Sequence, residues 1–346
     1  MTQALAAVAP GTPLREGLDR ILQAKRGALI VLGDSPEVLG ICSGGLILNA
    51  EFSPQRISEL AKMDGAIILA SDASRIARAN VHLVPDPAVP TSETGTRHRT
   101  AERVARSLDV PVISVSEDMS IIAVYMHELK HQLQPMATLV NRANQALQTL
   151  ERYKQRLDTV TSSLSALEIE NLVTVRDVVT VLQRAEMVRR IAEEIDGYLV
   201  ELGDDGRMLM LQLDELMGGV DDDRRLVIRD YALRPDPAST DAAIEWLAGL
   251  EAASLLDLAK VSDLLGLPSL DLDTAVSPRG YRLLSKIPRL PESVVGRIVD
   301  HYGTLEQALV AADEMDDVDG IGEDRASQVR EGLARLAEVA LLDRPS

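Results

Sequence analysis

The chain has 346 residues and a formal net charge of −18, with 54 Asp plus Glu against 36 Lys plus Arg. Its length predicts two or three domains, and its 46% apolar fraction rules out a disordered chain. One Trp, one Phe and six Tyr argue against an aromatic platform for single strands, and the acidic balance argues against broad attraction to DNA or anionic lipid, so any anion site must be local.

The first 130 residues or so read as α/β. Leu14, Leu18, Ile21 and Leu22 share one helical face, Gly27 ends that pattern, and residues 28–33 form a short buried strand. Residues 37–43, after the Asp34-Ser35-Pro36 turn, are expected as a second strand. Ser53 is an expected N-cap with Pro54 in the first helical position. Further strands are expected at 65–70, 81–84, 110–116 and 120–126, with a helix over 99–108. A mixed sheet flanked by helices is the simplest architecture. Cys42 is the only cysteine, which excludes an intrachain disulfide and a Cys-rich zinc site and fits a reduced, intracellular setting. It is expected as a small core residue. No basic region followed by a long apolar run opens the chain, so neither a signal peptide nor a membrane span is expected, and the chain is predicted to be cytoplasmic.

From near Tyr125 to about residue 283 the pattern is nearly all helical. Leu150, Tyr153, Leu157, Val160, Leu164 and Leu167 form an a/d seam suited to a long spine helix. Thr174–Asp177 reads as a capping box opening a second long helix, and breaks at 236–240 and 266–273 punctuate the rest. His127 and His131 are read as lying on a helix surface, and Trp246 as a packing anchor. The predicted domains are 1–145, 146–283 and 284–346.

The last domain carries two helix–turn–helix patterns, one turning at 287–291 and one at 317–326, about 31 residues apart. In the second, Gly320, Ile321 and Gly322 lead into a helix bearing Arg325. This is the pattern of a helix-hairpin-helix module, whose tight glycines turn backbone N–H groups towards a DNA phosphate. The competing reading is a helical connector with a glycine C-cap. Residues 284–346 carry a net charge of −6, so a single copy should bind DNA weakly.

Two constellations in the α/β region could carry chemistry. In residues 91–103, "TSETGTRHRTAER", the run Arg97-His98-Arg99 follows Gly95 on an expected loop that feeds a helix starting at about Thr100. Free N–H groups, the helix dipole, two guanidinium groups and the Thr96 and Thr100 hydroxyls would together hold phosphate, although no Walker A loop is present. The alternative is a solvated loop whose arginines pair with Glu93 and Glu102, and charge alone does not decide between them. Asp64-Gly65 stands at a helix-to-strand junction, where a carboxylate can hold Mg²⁺ or simply form an Asp-Gly turn.

Asp64-Gly65-Ala66 followed by Arg97-His98-Arg99 resembles the catalytic core of the bacterial diadenylate cyclases. The order of α/β domain, all-α spine and C-terminal helix-hairpin-helix domain is similar to the DNA-scanning members of that family, and the resemblance covers essentially the whole chain. It implies condensation of two ATP into cyclic di-AMP with release of two pyrophosphates, each 3′-hydroxyl attacking the other nucleotide's α-phosphate. It also implies a homo-octamer with facing active sites, and suppression of the reaction by branched or junction DNA. Carried over by position, Asp64, Arg97 and Arg99 are catalytic, with Asp64 holding Mg²⁺ or Mn²⁺ and helping to polarise the attacking hydroxyl. Gly65, Ala66 and Leu83 line the nucleoside pocket, Thr96, Arg97, His98, Arg99 and Thr100 hold phosphates, and Ser116 completes the ATP-binding set. Two departures stand out: Asp118-Met119 follow Ser116-Glu117 where basic residues are expected, and the second hairpin is acidic. Competing readings are a DNA-binding structural protein whose nucleotide domain only senses ATP, and a helical scaffold whose hairpins bind protein.

Overall fold

The computed structural model describes residues 1–117, 121–266, 271–318 and 321–342. The chain divides into two units, Met1–Gln145 with Glu194–Gln212, and Ala146–Glu193 with Leu213–Ser346.

In the first unit the elements are α1 (Thr2–Ala7), α2 (Pro13–Gln23), β1 (Ala28–Leu32), α3 (Pro36–Gly40), β2 (Cys42–Ser43), β3 (Leu46–Glu51), α4 (Pro54–Leu60), β4 (Ala66–Leu69), β5 (Arg75–Leu83), α5 (Thr96–Leu108), β6 (Val112–Ser116), β7 (Ile121–Met126) and β8 (Leu129–Gln132). They build an eight-stranded sheet in the order β2-β5-β4-β1-β6-β7-β8, with β3 also on β5. β1 and β4 are parallel and the other pairs antiparallel, so the sheet is mixed. β1 is buried along its whole length because both its faces are covered. Ile30 and Leu32 pack with Leu14, Leu18, Ile21 and Ile57 from α2 and α4. Leu29 and Val31 pack with Ala101, Val104 and Ala105 from α5. Each of the Leu, Ile and Val side chains among them contributes about 1.5–3 kcal/mol of burial.

Three local expectations are overturned in this unit. Residues 37–43 are not one strand. The Ser35 hydroxyl accepts from the Val38 N–H and Pro36 opens α3, so capping wins over a short apolar run. The segment around His127 and His131 is not a helix surface but the β7–β8 hairpin, with His127 in its turn at φ 52°. Arg97-His98-Arg99 do not lie on a loop, because α5 already starts at Thr96 with Gly95 as its N-cap. Cys42 is only half-buried, at the rim of the α5-side core, with its thiol donating to the Val38 carbonyl at 3.2 Å.

Two long helices, α6 (Met136–Glu170) and α7 (Val175–Leu202), supply residues to both units. The remaining helices are α8 (Arg207–Met217), α9 (Val220–Tyr231), α10 (Pro237–Gly249), α11 (Ala252–Leu255), α12 (Leu258–Ser262), α13 (Tyr281–Ser285), α14 (Glu292–Tyr302), α15 (Leu305–Val310) and α16 (Glu323–Leu342). The heptad seam lies on α6, where Leu150, Leu157 and Leu164 are buried and the alternate Tyr153, Val160 and Leu167 half-buried. At the start of α7 the Asp177 carboxylate accepts from the Thr174 N–H at 2.9 Å and from its hydroxyl at 2.6 Å. Trp246 is not an anchor: α10 buries the stripe of Thr240 and Leu247, and Trp246, one position off it, is 41% exposed.

The two C-terminal turns share one hydrogen-bond pattern. The Leu290 N–H donates to Ile287 O at 3.3 Å, and the Ile321 N–H to Val318 O at 3.0 Å. The Pro291 carbonyl then accepts from Val294 and Val295 as α14 begins, and the Gly322 carbonyl from Arg325 and Ala326 as α16 begins. Ile287, Val294, Val295, Val318, Ile321 and Ala326 meet in one apolar core.

Beneath that core the second unit buries a polar network. Arg282 is 0% exposed and pairs with Glu168, which also accepts from the Tyr231 hydroxyl at 2.8 Å. Asp230 accepts from the N–H groups of Gly280, Tyr281 and Arg282 at 2.8, 2.7 and 3.0 Å, satisfying donors at the start of α13. Burial, reinforced by Glu168, nevertheless pushes Asp230 up from its ordinary 3.8 to about 7. A carboxyl raised on folding stabilises the fold fully below 3.8 and loses that contribution as the pH rises through about 7. The expected result is that the stability advantage of the protein over Asp230→Asn narrows between about pH 4 and about pH 7 and levels off above that. Urea midpoints of the two proteins across that range check it, and a widening gap would contradict the assignment.

Candidate functional site

β1 and β4 run parallel, so their amino ends meet at one edge of the sheet. Gly27 immediately precedes β1, and Asp64 and Gly65 immediately precede β4. β6 runs the other way, with Val115 opposite Ala28, so Ser116 reaches the same edge. In β5, Val81 lies opposite Ala66, and Leu83 continues past the start of β4. The residues singled out on scattered strands therefore gather at one rim. It is the amino rim, whereas open parallel sheets bind ligands outside their carboxyl ends.

Asp64 is almost fully exposed, its side chain 96% accessible, and its Oδ1 accepts from Arg97 Nη2 at 3.1 Å. An ion pair so open to water contributes little to stability and exchanges readily for a ligand. Gly27 makes room for it, and Gly65 for the close approach of Asn80. A Cβ on Gly65 would come within 2.6 Å of the Asn80 backbone, and one on Gly27 within 2.1 Å of Arg97 Nη1. The guanidinium thus lies against the bare Gly27 backbone with one end turned to Asp64.

Arg97 belongs to the first turn of α5, whose N-cap Gly95 supplies no side-chain acceptor. The opening N–H groups of α5 stay available to an anion, and the helix dipole favours one there. Arg99 is exposed, with its backbone N–H on Gly95 O at 2.9 Å, and the Thr100 hydroxyl donates to Thr96 O at 2.9 Å. Gly65 and Ser116 are half-buried, while Ala66 and Leu83 pack in the α5-side core. Asp118-Met119 lie outside the described residues.

The rest of the basic cluster has a different job. Arg103 donates to the carbonyls of Val89 and Pro87 at 3.0 and 3.3 Å, and Arg106 to Pro90 at 2.8 Å. Glu102 accepts from the Thr91 hydroxyl and the Ser92 N–H and pairs with Arg106. These groups strap the preceding segment to α5. Glu93 pairs with Lys130 and accepts from the Tyr125 hydroxyl at 3.1 Å, and Tyr125 Oη lies 2.9 Å from His98 Nδ1. Burial holds His98 below its ordinary value and, with Glu93, pushes the Tyr125 phenol well up. Gly27 and the Glu93–Tyr125 chain had no sequence signal, because each is defined only by what the fold brings beside it.

Among the described residues no group of three His, Cys, Asp or Glu side chains could by itself hold a metal ion, and no helix is long and apolar enough to cross a membrane. Of the expected DNA contacts, Gly320 lies outside the described residues, and Ile321 is buried with its N–H already given to Val318. Gly322 and Arg325 are exposed.

Two family models match the chain. The one described as DisA bacterial checkpoint controller nucleotide-binding covers residues 15–129, and the one described as DisA bacterial checkpoint controller linker region covers 133–271. Curated proteins named DNA integrity scanning protein DisA are similar along nearly the whole length. That of Frankia alni is 59% identical over 346 residues, 98% of this chain and 96% of that protein. That of Frankia casuarinae is 58% identical over 344 residues, again 98% and 96%. That of Streptomyces avermitilis is 54% identical over 352 residues, 99% of this chain and 94% of that protein.

Proposed function

The chain belongs to the DisA family, and from that premise we propose that it is a diadenylate cyclase, condensing two ATP into cyclic di-AMP and two pyrophosphates. The observation that carries this reading is the Asp64–Arg97 pair at the uncapped start of α5. It sets a carboxylate, a guanidinium and open helix N–H groups around one point on the sheet rim. Phosphoryl transfer asks mainly for positioning and charge stabilisation, which these groups supply. Arg97, Arg99 and the first N–H groups of α5 hold the triphosphate. Gly65, Ala66 and Leu83 form the wall for the nucleoside, with Ser116 beside them. The 3′-oxygen forms a bond to the α-phosphorus of the second ATP as the bond to pyrophosphate breaks. One rim holds one ATP, so the two sites must face each other, as in a homo-octamer.

The donor set fits a divalent ion that arrives with its substrate. Mg²⁺ or Mn²⁺ on a triphosphate needs only one or two protein carboxylates, and Asp64 is exposed beside the phosphate-holding arginine. Such an ion would neutralise phosphate charge in the transition state. Incubation of the protein with labelled ATP and either metal, followed by chromatography, tests the reading. If no cyclic dinucleotide forms with either, the DNA-binding protein that only senses ATP is the correct description.

The C-terminal helices read as two helix-hairpin-helix copies that bind branched or junction DNA and thereby restrain the cyclase. Both partners, ATP and chromosomal DNA, belong to the bacterial cytoplasm. The first hairpin is the stronger candidate for phosphate contact. It carries Lys286 and an exposed Arg289 at φ 61°, in the place that Gly320 takes in the second copy. A non-glycine residue in that region costs energy, here as in the His127 turn. The second hairpin is flanked by Glu323 and Asp324. Arg289→Glu is expected to weaken junction binding about tenfold or more and to flatten its salt dependence, with a smaller loss for Arg325→Glu. Fluorescence anisotropy at several salt concentrations checks this, and the opposite ranking would return the contact to the second hairpin.

A further inference from the structure

Arg97, Arg99 and the helix N–H groups are all donors, and Asp64, the one carboxylate beside them, is shared between Arg97 and the incoming metal ion, yet the proposed reaction must also remove a proton from each attacking hydroxyl. We propose that Glu93 and Tyr125 act as positioning residues that present His98 Nε2 as the acceptor for that proton. The inference rests on the cyclase reading.

The direction of the hydrogen bonds follows from donor counting. Glu93 is the carboxylate partner of Lys130 in an ion pair, and there it accepts. The single Tyr125 hydroxyl proton therefore goes to Glu93, at 3.1 Å. Tyr125 Oη then has only lone pairs for His98 Nδ1, 2.9 Å away, so Nδ1 must carry the proton. In the neutral imidazole that burial favours, Nε2 is left with a free lone pair. It cannot donate to a phosphate, which separates His98 from the neighbouring arginines in role. Its carbon neighbour Cδ2 faces the N-cap of α5, since a Cβ on Gly95 would sit 3.5 Å from it. Nε2 is bonded to Cδ2 and so stands beside the start of α5, and Tyr125, 1% exposed, holds the ring at Nδ1.

The proton balance closes within the site. The O3′–H bond breaks as the O3′–P bond forms, the proton passes to His98 Nε2, and the electron pair of the breaking P–O bond leaves with pyrophosphate. The imidazolium is steadied by the Tyr125 oxygen and the Glu93 charge behind it, and then releases its proton to solvent or product.

The test compares steady-state kinetics of the full chain with those of Tyr125→Phe, Glu93→Gln, His98→Asn and the double variant Tyr125→Phe/His98→Asn. Thermal midpoints check folding in each. General-base assistance is worth about 10²–10⁴-fold, so kcat should fall at least about tenfold in Tyr125→Phe, with KM for ATP nearly unchanged. Glu93→Gln should lower kcat as well, because its amide can donate to Tyr125 Oη and reverse the chain. In the His98→Asn background, Tyr125→Phe should cost nothing further. Full kcat in both Tyr125→Phe and Glu93→Gln would overturn the proposal, and so would an undiminished Tyr125→Phe effect without His98. If the unsubstituted protein forms no cyclic di-AMP at all, the cyclase reading itself has failed, which is a separate and visible outcome.

Discussion

Asp64→Asn is expected to lower cyclic di-AMP formation at least about 100-fold while leaving the protein folded. The amide keeps the size of the carboxylate and loses its charge. It then neither offers a divalent ion its anionic ligand nor balances Arg97 between turnovers. The fold should not notice, because the Asp64 side chain is 96% exposed and makes no core contact. Its thermal midpoint should stay within about 2 °C of the unsubstituted protein. Chromatography of labelled ATP products, paired with a thermal melt, reads both numbers from one preparation. Substantial turnover by this variant would remove Asp64 from the chemistry and leave Arg97, Arg99 and the helix start to hold the phosphates.

The largest effect on stability is expected at the other end of the chain. Arg282→Met should cost about 3–5 kcal/mol, because it strands a charge that the fold has already desolvated. Glu168 is 1% exposed and would keep the Tyr231 hydroxyl and the nearby charge of Lys286, but no ion pair among the described residues. Removing that charge as well, in Glu168→Leu/Arg282→Met, should recover most of the loss. A residual of about 1–2 kcal/mol should remain for the Tyr231 hydroxyl left without its acceptor. Urea unfolding of the two single variants and the double variant closes the cycle. A cost below about 1 kcal/mol for Arg282→Met would mean that the ion pair is incidental to the helical unit.

Elements that announce their ends were the legible ones. Ser53 caps α4 and the Asp177 carboxylate closes on Thr174 at the start of α7, and both starts are marked by residue type. The heptad seam on α6 was readable for the same reason, since its period repeats over many turns. What failed was short or lacked a signal. The apolar run at 37–43 could be strand or helix by periodicity, and only the Ser35 cap decided it. β8 is a polar, exposed edge strand, so no alternation marks it. The start of α5 was placed late because Gly95 caps it with no side chain to read.

The candidate site divides in the same way. Asp64 and Arg97 sit in contiguous motifs, so residue chemistry drew attention to both, and the fold sets them 3.1 Å apart. Arg103 and Arg106 looked like part of the same basic cluster, but their carbonyl partners are a matter of chain path, which composition does not contain. Tyr125 read as a strand residue and Glu93 as a surface counter-ion until the sheet brought both to His98. Arg282 gave no hint of burial at all, because its partner Glu168 is supplied by a distant helix.

The bare backbone at Gly27 has a consequence for how this sequence can change. Gly27 and Arg97 compete for a single volume, since a methyl group on one would overlap the guanidinium of the other. A side chain at 27 would push aside the end of the Arg97 side chain, so the cost would fall on its pairing with Asp64. A larger residue at 27 requires a shorter or displaced one at 97, and a shorter residue at 97 would relax the demand for glycine. The placing of the arginine motif against Asp64 thus depends in part on a residue that no motif contains.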